Sequence, residues 1–521
     1  MQETFVLERV IDDIRAKIRP QWRWAFISCF VVGILTFGYF MTHHFLTADS
    51  LWNLVSDQDM ITSGRQFLTY ACSISTDYDL PWINGLLAIF YMSVTSVFVV
   101  EGLGIKSKYL SALSGAVLIS FPSIISTFCY SYTIDGYMLA VLLATIAFFI
   151  TDRKKWGFAL GIIMLGFSLG IYQAYFSFTI VLCILKLLLD VLEGIKLKTI
   201  FSKIWRYMIM GIGSFVFYYI SLQVMLKIQN TSLSDYQGVS NLEQFSFSDI
   251  PNGIVGAYKT FFSFLRAPGA LATTTVMYVM VIALVAFGVL LYLWKFISEK
   301  YENKIIRLFI IIGLLAVTPV GATIVYVMAP TMYFHLLMRL PWVLFFVFVL
   351  ALIERMPGVK KEIWKKMQKI FATAVCLATV MMVLQFSITA NVVAFNMEEK
   401  YEKTYGLSLR ILDRLEQTEG YKTGDKIAFV GGGVDPAIYP YTDLTSPYLK
   451  GYFGVEGTLC AYDTSKFATF WFHYLNVTIN PATWDETLGV IETEEYKEME
   501  NFPNESSIRK IGEIWVVKLN G

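Results

Sequence analysis

The stretch RWAFISCFVVGILTFGYFMTHHFLTADSLW, residues 23–52, decides the fold. It begins with an apolar run that is long enough for a helix to cross a bilayer, which needs about 20 residues. Asp49 follows soon after the run ends. The whole 521-residue chain is also rich in apolar residues, with 56% hydrophobic residues, 16% charged residues and a mean hydropathy of +0.55. A soluble domain has roughly 45–50% apolar and about 25% charged residues, so the sequence predicts an integral membrane protein.

Apolar runs of similar length recur along the chain and predict an α-helical polytopic membrane protein with about eleven spanning helices. The predicted spans are 23–43, 82–101, 109–128, 132–150, 156–172, 174–190, 206–227, 276–295, 305–328, 333–353 and 369–389.

The positive charges predict an orientation. If the N-terminus is cytoplasmic, the inner segments hold 23 Lys and Arg residues, and the outer segments before the last helix hold three. Cytoplasmic loops carry an excess of these residues. The loop 44–81 and everything after Thr389 are therefore predicted to lie outside the cytoplasm.

The chain is predicted to have three parts. Residues 1–22 form an amphipathic segment, either a helix on the inner membrane face or an ordinary cytoplasmic cap. Residues 23–390 form the transmembrane domain, with a first external loop at 44–81 and a long external loop at 228–275. Residues 391–521 are predicted to fold as a small α/β domain, with a strand in DKIAFVGG, a helix in KFATFWFHYLN and a final strand in EIWVVKLNG.

Polar residues near the outer helix ends are candidates for function, because polar groups at membrane depth are expensive. The acids are Asp49, Asp57, Asp59 and Asp135. The cations are Arg65, Lys259, Arg266, His335 and Arg339, of which His335 and Arg339 are expected to share one helix face. The sugar-binding or acceptor-binding candidates are Tyr132, Tyr137, Tyr172, Gln173 and Tyr175.

Each candidate also has a structural explanation. Asp49 and Asp135 could cap helices, and Asp57 and Asp59 could form a solvated face. The tyrosines could belong to an interfacial aromatic belt, Gln173 could link two helices, and Arg339 could snorkel. Convergence favours function, since acids from two loops and cations from two others face one side of the membrane.

That combination suits group transfer to a hydroxyl. A carboxylate can take the proton of an attacking hydroxyl, an arginine can hold a departing phosphate, and aromatic rings can stack on sugar faces. A lipid-phosphate sugar would enter from the bilayer, and the acceptor would arrive from the water.

Several motifs resemble the bacterial membrane glucosyltransferases that modify O-antigens (the serotype-converting Gtr type) and, more distantly, the GT-C glycosyltransferase superfamily. They are DSLWNL, DQDMITSGRQF and PWINGLLAIFY within 49–91, FPSIISTFCYSYTIDGYMLAVLLA at 121–144 and GIYQAYFSF at 170–178. From 190 to 390 the resemblance is mainly in hydropathy and loop position.

The resemblance implies a GT-C-like fold in a bacterial cytoplasmic (inner) membrane. It also implies an inverting transfer of a hexose, glucose above all, from a polyprenyl-phosphate (undecaprenyl-phosphate) sugar to a cell-surface polysaccharide or glycolipid. By position, the catalytic base would be Asp49 or one of Asp57 and Asp59, and Asp135 would be the second acid. Asp49 is preferred because it lies closest to the first helix.

The implied partners are a lipid-sugar synthase and a flippase, and no nucleic acid. No cofactor is firmly predicted, and a divalent cation, Mg²⁺ or Mn²⁺, held by Asp57, Asp59 and Asp135 stays open. Two other functions also stay open. A polysaccharide polymerase or ligase would use a large external loop with arginines, and a lipid-linked glycan transporter would have inverted repeats.

Overall fold

A computed structural model describes residues 6–234, 250–263, 273–328, 334–356, 358–431, 452, 459–460 and 463–520. The chain divides into two compact units. The first, the helical unit, comprises Met1–Thr42 and Asp57–Ala390. The second, the C-terminal unit, comprises Asn391–Gly521 together with His43–Ser56. The segment that follows the first apolar helix therefore belongs with the C-terminal residues.

The helices up to the unit boundary at Ala390 are α1 (Val6–Lys17), α2 (Pro20–Thr42), α3 (Leu68–Cys72), α4 (Pro81–Gly102), α5 (Lys108–Ser120), α6 (Pro122–Phe128), α7 (Ile134–Arg153), α8 (Gly157–Ile171), α9 (Phe176–Leu192), α10 (Leu197–Gln229), α11 (Ile250–Phe262), α12 (Thr275–Ser298), α13 (Lys304–Ala322), α14 (Ile324–Met328), α15 (Val343–Ile353) and α16 (Glu362–Gln417), the last of which carries the boundary. Short 3₁₀ helices occur at Ser50–Trp52, Ile61–Ser63, Ser131–Thr133, Gln173–Tyr175 and Leu336–Trp342.

The helical polytopic fold predicted from the apolar runs is confirmed. Among the described residues, nine helices are long and apolar enough to cross a membrane, or ten if the bent pair α5 and α6 counts as one span. The remaining predicted run forms α8, a helix of 15 residues. At 1.5 Å per residue α8 is about 22 Å long, which is shorter than the hydrocarbon core of about 30 Å.

The run predicted as one span over 109–128 is broken. Phe121 is extended, with φ −60° and ψ 141°, and α5 and α6 meet there at a bend of 44°. Pro122 explains the break, because a proline disfavours the helical conformation of the residue before it.

Small residues allow the helices of this unit to pack closely. α2 packs against α4 and α5. A Cβ atom added at Gly115 would lie 2.4 Å from the carbonyl oxygen of Ala25, and one at Gly33 would lie 2.8 Å from a side-chain carbon of Ile89. Small residues at such crossings are typical of helix packing in membranes.

Ion pairs join the helix ends at one end of the unit, which we call the basic end (the ends of α4, α7, α9 and α15 and the starts of α2, α5 and α10). Lys203 lies 2.7 Å from both Asp152 and Asp190, and Arg153 pairs with Glu101. Further links at this end are Arg19–Glu101, Lys186–Asp190, Arg355–Glu193 and the bonds from the Lys106 and Ser107 N–H groups to Glu354.

The C-terminal unit contains the predicted α/β fold. Its strands are β1 (Lys426–Val430), β2 (Asn480–Pro481), β3 (Ile508–Ile511) and β4 (Ile514–Lys518), and its helices beyond α16 are α17 (Thr464–Leu475), α18 (Trp484–Ile491) and α19 (Glu494–Lys497). The strand order is β2-β1-β4-β3. β1 is parallel to β2 and to β4, and β3 is antiparallel to β4.

The core of this unit explains why His43–Ser56 belongs to it. Leu46 and Leu51 are buried in one cluster with Ile411 of α16 and with Phe470 and Trp471 of α17. Burial of these two leucines in the hydrophobic core of the C-terminal unit is favourable and holds the segment there.

Candidate functional site

The DQD sequence, Asp57 to Asp59, forms a turn that its own carboxylates hold. The Asp59 N–H donates to Asp57 Oδ1 (3.1 Å), and the Ile61 N–H donates to Asp59 Oδ1 (3.3 Å). Gln58 between them has φ 56°, a left-handed conformation that is uncommon for residues other than glycine. Both aspartates are exposed, so part of their role is to fix the backbone of the loop.

Arg65 lies in a cluster with tyrosines from two other segments, which we call the tyrosine cluster (Arg65, Tyr137, Tyr172 and Tyr175). Arg65 Nη1 donates to the Tyr137 hydroxyl at 3.0 Å, and its guanidinium lies 4.9 Å from the centre of the Tyr172 ring. The rings of Tyr137 and Tyr172 are stacked 4.6 Å apart, and Tyr175 meets both edge-on. Stacking of a cation on an aromatic ring is favourable and sets the orientation of Arg65.

A network of polar side chains holds the turn before Arg65. Gln173 Nε2 donates to the carbonyl oxygen of Gly64 (2.7 Å) and to the Tyr218 hydroxyl (3.1 Å). Tyr218 itself donates to the same Gly64 carbonyl at 3.1 Å. Gly64 has φ 71°, which glycine adopts at little cost. Gln173, predicted to contact sugar, thus uses its amide nitrogen to position the loop.

Asp135 is the buried acid of this region. It lies in the first turn of α7 and is 1% exposed. Ser75 donates a hydrogen bond to Asp135 Oδ2, and Oδ1 has no hydrogen-bond partner among the described residues. The next residue explains the burial, since a Cβ atom at Gly136 would lie 2.8 Å from Cys72 Sγ of α3. A buried carboxylate oxygen with no partner is unfavourable and is suited to receive a ligand hydroxyl.

The sequence predicts an α-helix that carries both His335 and Arg339, but the structure has a 3₁₀ helix at this place. His335 precedes the 3₁₀ helix Leu336–Trp342, which carries Arg339. The prediction that these two residues share a face is wrong, because a 3₁₀ helix has three residues per turn and aligns positions three apart. Arg339 is half-buried, donates to Ser263 Oγ at 3.0 Å and lies over the rings of Phe334 and Trp342.

The helix of Arg339 contacts α6 and the turn Gln173–Tyr175, so it lies beside the tyrosine cluster. Lys259 is exposed on α11. Arg266 lies outside the described residues. The described part of the long external loop contains α11 (Ile250–Phe262), which buries Gly253, Ala257 and Phe261, four residues apart on one face.

Asp49 belongs to the C-terminal unit. It is half-buried at the start of the 3₁₀ helix Ser50–Trp52, and its side chain makes no capping hydrogen bond. Its backbone oxygen accepts from Asn53 Nδ2 at 2.9 Å. The capping explanation for this carboxylate is therefore wrong.

Four polar residues of the region were not among the sequence candidates. Asp79 is 5% exposed and accepts a hydrogen bond from Ser131 Oγ at 3.0 Å. Ser75 and Tyr218 were described above, and Gln66 Nε2 donates to Ser221 Oγ at 3.0 Å. Tyr218 lies within an apolar run, where a polar side chain indicates a partner, so the sequence did contain a signal for it.

Tyr132 is buried, with its ring edge-on to Tyr130.

Within the described residues, no group of three His, Cys, Asp or Glu side chains could hold a metal ion. The carboxylates of Asp57, Asp59 and Asp135 therefore do not form such a group, and the divalent cation stays a prediction.

Comparison with protein families gives one match. The model described as "Glucosyl transferase GtrII" matches residues 38–352, which is more than half of the chain and includes every candidate residue named above. No curated protein and no solved structure matches the chain.

Proposed function

The chain belongs to the glucosyl transferase GtrII family, and we propose that it moves a hexose, glucose in the first instance, from a polyprenyl-phosphate sugar to a cell-surface polysaccharide or glycolipid. The family makes the protein a glycosyltransferase of a glycan-modifying type. The lipid donor, the stereochemistry and the residue roles below are parts of the proposal.

The observation that carries the proposal is the half-buried Arg65, which donates to the Tyr137 hydroxyl and lies over the Tyr172 ring at the ends of apolar helices. A guanidinium presents a planar fork of N–H donors that matches the oxygens of a phosphate. A phosphate carried on a lipid chain would reach it from the bilayer, with the chain among the helices.

The reaction is a single displacement at the anomeric carbon. The acceptor hydroxyl oxygen forms a bond to that carbon while a carboxylate takes the hydroxyl proton. The bond from the anomeric carbon to the phosphate oxygen breaks, and the electron pair leaves with the polyprenyl phosphate. Attack opposite the leaving group inverts the anomeric centre. Arg65 and Arg339 stabilise the negative charge that develops on the phosphate.

Asp49 is the proposed base. Its carboxylate makes no capping bond, and within the described residues it makes no ion pair, so it is available to take a proton. Asp57 and Asp59 are second choices, because their oxygens already bind backbone N–H groups. Asp135 is proposed to accept a hydrogen bond from a sugar hydroxyl through Oδ1.

The remaining candidates keep supporting roles in the proposal. Lys259, Arg266 and His335 are proposed to assist phosphate binding, and Tyr132 and Tyr175 to line the sugar pocket. A lipid-sugar synthase and a flippase would supply the donor, and a bound Mg²⁺ or Mn²⁺ remains an alternative means of neutralising phosphate.

The proposed location is a bacterial inner membrane with the N-terminus inside and the C-terminal unit outside. The asymmetry of 23 against three Lys and Arg residues supports it. A reporter that is active only in the periplasm, fused after Gly521, should be active. Activity of a cytoplasm-only reporter there would overturn the orientation.

The test of the proposed function is the Asp49→Asn variant. The purified full chain is given polyprenyl-phosphate glucose and surface polysaccharide from cells that lack the gene, and transferred glucose is measured. Loss of a general base lowers the rate by about 10²–10⁴-fold, whereas the asparagine side chain is nearly isosteric and should leave the melting temperature unchanged.

Asp57→Asn and Asp59→Asn are the matched controls. A dead Asp57 or Asp59 variant beside an active Asp49→Asn variant would move the base to the DQD turn. Activity in all three would refute the carboxylate mechanism in this loop. Wild-type protein that transfers no sugar but moves the intact lipid-linked sugar across a vesicle membrane would favour a transporter, and growth of the glycan by whole repeat units would favour a polymerase or ligase.

A further inference from the structure

The C-terminal unit contains a cavity of about 380 Å³ at the ends of its parallel strands. Val430 and Gly431 line it at the carboxyl end of β1, and Ala482 lines it just after β2. β1 is paired with β2 on one side and β4 on the other. In open α/β sheets, ligands bind outside the carboxyl ends of strands where the chain turns to opposite sides. The volume lies in the range of roughly 300–1,000 Å³ that is usual for ligand sites.

Two helices begin at this cavity, and protein groups occupy both N-termini. Asp463 Oδ1 accepts from the Ser465 N–H (2.9 Å) and the Lys466 N–H (3.3 Å) at the start of α17. At the start of α18, the side chains of Thr483 and Glu486 form a reciprocal capping box. The N–H groups that would attract an anion are therefore bound to acidic and hydroxyl side chains of the chain itself.

The charges near the cavity also disfavour an anionic ligand. None of the described residues that line it is basic, and Asp463 contributes a negative charge. Hydrogen bonds from the Lys426 side chain and the Thr483 N–H lower the pKa of Glu486 below its ordinary value, so this neighbouring carboxyl stays ionised near neutral pH. Among the described lining residues, a phosphate or a nucleotide would meet the Asp463 carboxylate and no arginine or lysine. The two lysines nearby already pair with acids, Lys466 with Asp463 and Lys426 with Glu486.

The lining suits a neutral sugar. Trp484 is 64% exposed and lines the cavity, so the face of its ring is accessible to a ligand there. A hexose ring has a face of C–H groups that can lie on an indole, and hydroxyls at its edge that can bind to polar side chains. The Ser465 hydroxyl is such a group on the same lining. The Asp463 carboxylate and the Thr487 hydroxyl, which already donates to the Thr483 carbonyl oxygen, can accept further hydrogen bonds there.

We propose that this cavity binds a neutral saccharide unit of the acceptor glycan, with Trp484 as the stacking platform. The identity of the ligand as acceptor rests on the proposed function, and the binding itself does not. The site would hold the polymer while one of its hydroxyls reacts, so it would raise the affinity for the acceptor and leave the donor unaffected.

The experiment uses the full chain in lipid nanodiscs. The probe is the surface polysaccharide from cells that lack the gene, cut into short oligosaccharides, and the dissociation constant is measured by saturation-transfer NMR. Trp484→Ala should weaken binding by about tenfold, and Trp484→Phe should restore much of it. Phe472→Ala is the matched control, because Phe472 is 56% exposed on the same unit and does not line the cavity.

The two proposals can fail separately. Equal affinity in wild type and Trp484→Ala, or displacement of the oligosaccharide by millimolar inorganic phosphate, would overturn the saccharide site. Binding that depends on Trp484 in a protein that transfers no hexose would keep the site and refute the proposed reaction. In an active enzyme, Trp484→Ala should raise the KM for the acceptor and leave the KM for the lipid donor unchanged.

Discussion

The two ends of the helical unit treat buried charge in opposite ways. At the basic end, acids are matched with cations, as where Lys203 lies 2.7 Å from both Asp152 and Asp190. At the end with the tyrosine cluster, Asp135 is equally buried but makes no ion pair within the described residues, and Arg65 lies against tyrosine rings. Paired charges hold helices together, whereas Asp135 Oδ1, which has no hydrogen-bond partner within the described residues, can accept a hydrogen bond from a ligand. This difference is the reason for proposing that the reaction takes place at the tyrosine end.

The largest expected effect of a substitution is a loss of stability at the basic end. Asp190→Asn leaves Lys186 and Lys203 with one carboxylate fewer in a buried site, and removal of one member of a buried ion pair costs about 3–5 kcal/mol. We expect a lower melting temperature in detergent and normal hexose transfer per folded molecule. A normal melting temperature with impaired transfer would assign the basic end to the reaction.

The next largest expected effect is a loss of hexose transfer at the tyrosine end. Asp135→Asn keeps an acceptor for Ser75 but removes the charge, and a hydrogen bond to a charged group contributes about 1.5–3 kcal/mol, or about 10–100-fold in rate. Transfer should fall by that factor, with little change in melting temperature. Asp77→Asn is the control, because Asp77 is an exposed acid in the loop that carries Ser75. Equal activity of the two variants would mean that Asp135 is structural.

The smallest effect concerns the support of Arg65. Tyr218→Phe removes one hydrogen bond to Gly64 and one from Gln173, which predicts a loss of about 2- to 10-fold in kcat. The KM for the acceptor should not change. Tyr219→Phe is the control, because Tyr219 is the next residue along the chain and its side chain is 50% exposed. If both variants have the wild-type kcat, the network does not position Arg65.

The sequence was sufficient for the helices, because a run of apolar residues has few alternatives in a membrane. It was also sufficient for β1, α17 and β4 of the C-terminal unit, where alternation and glycine turns are local signals. The break at Phe121 was readable from Pro122 but was predicted as part of one span. Likewise Pro341 lies inside the 3₁₀ helix of Arg339, where an α-helical face was expected.

The sequence could not predict which residues far apart in the chain contact each other. Leu46 and Leu51 are too few to form a pattern, so their burial with the C-terminal core could not be foreseen. The bonds from Gln173 to Gly64 and from Ser75 to Asp135 join residues 109 and 60 positions apart. Such pairings depend on which helices become neighbours, and composition and spacing do not determine that.

The central claim is that the tyrosine end is the site of reaction and the basic end is structural, and two matched variants test it. Arg65→Lys and Arg355→Lys both keep the charge and remove the planar fork of donors, one at each end. Hexose transfer from polyprenyl-phosphate glucose is measured at equal amounts of folded protein. We predict a loss of about 10²-fold for Arg65→Lys and wild-type turnover for Arg355→Lys. Wild-type turnover for Arg65→Lys, or an equal loss in both variants, would contradict the claim.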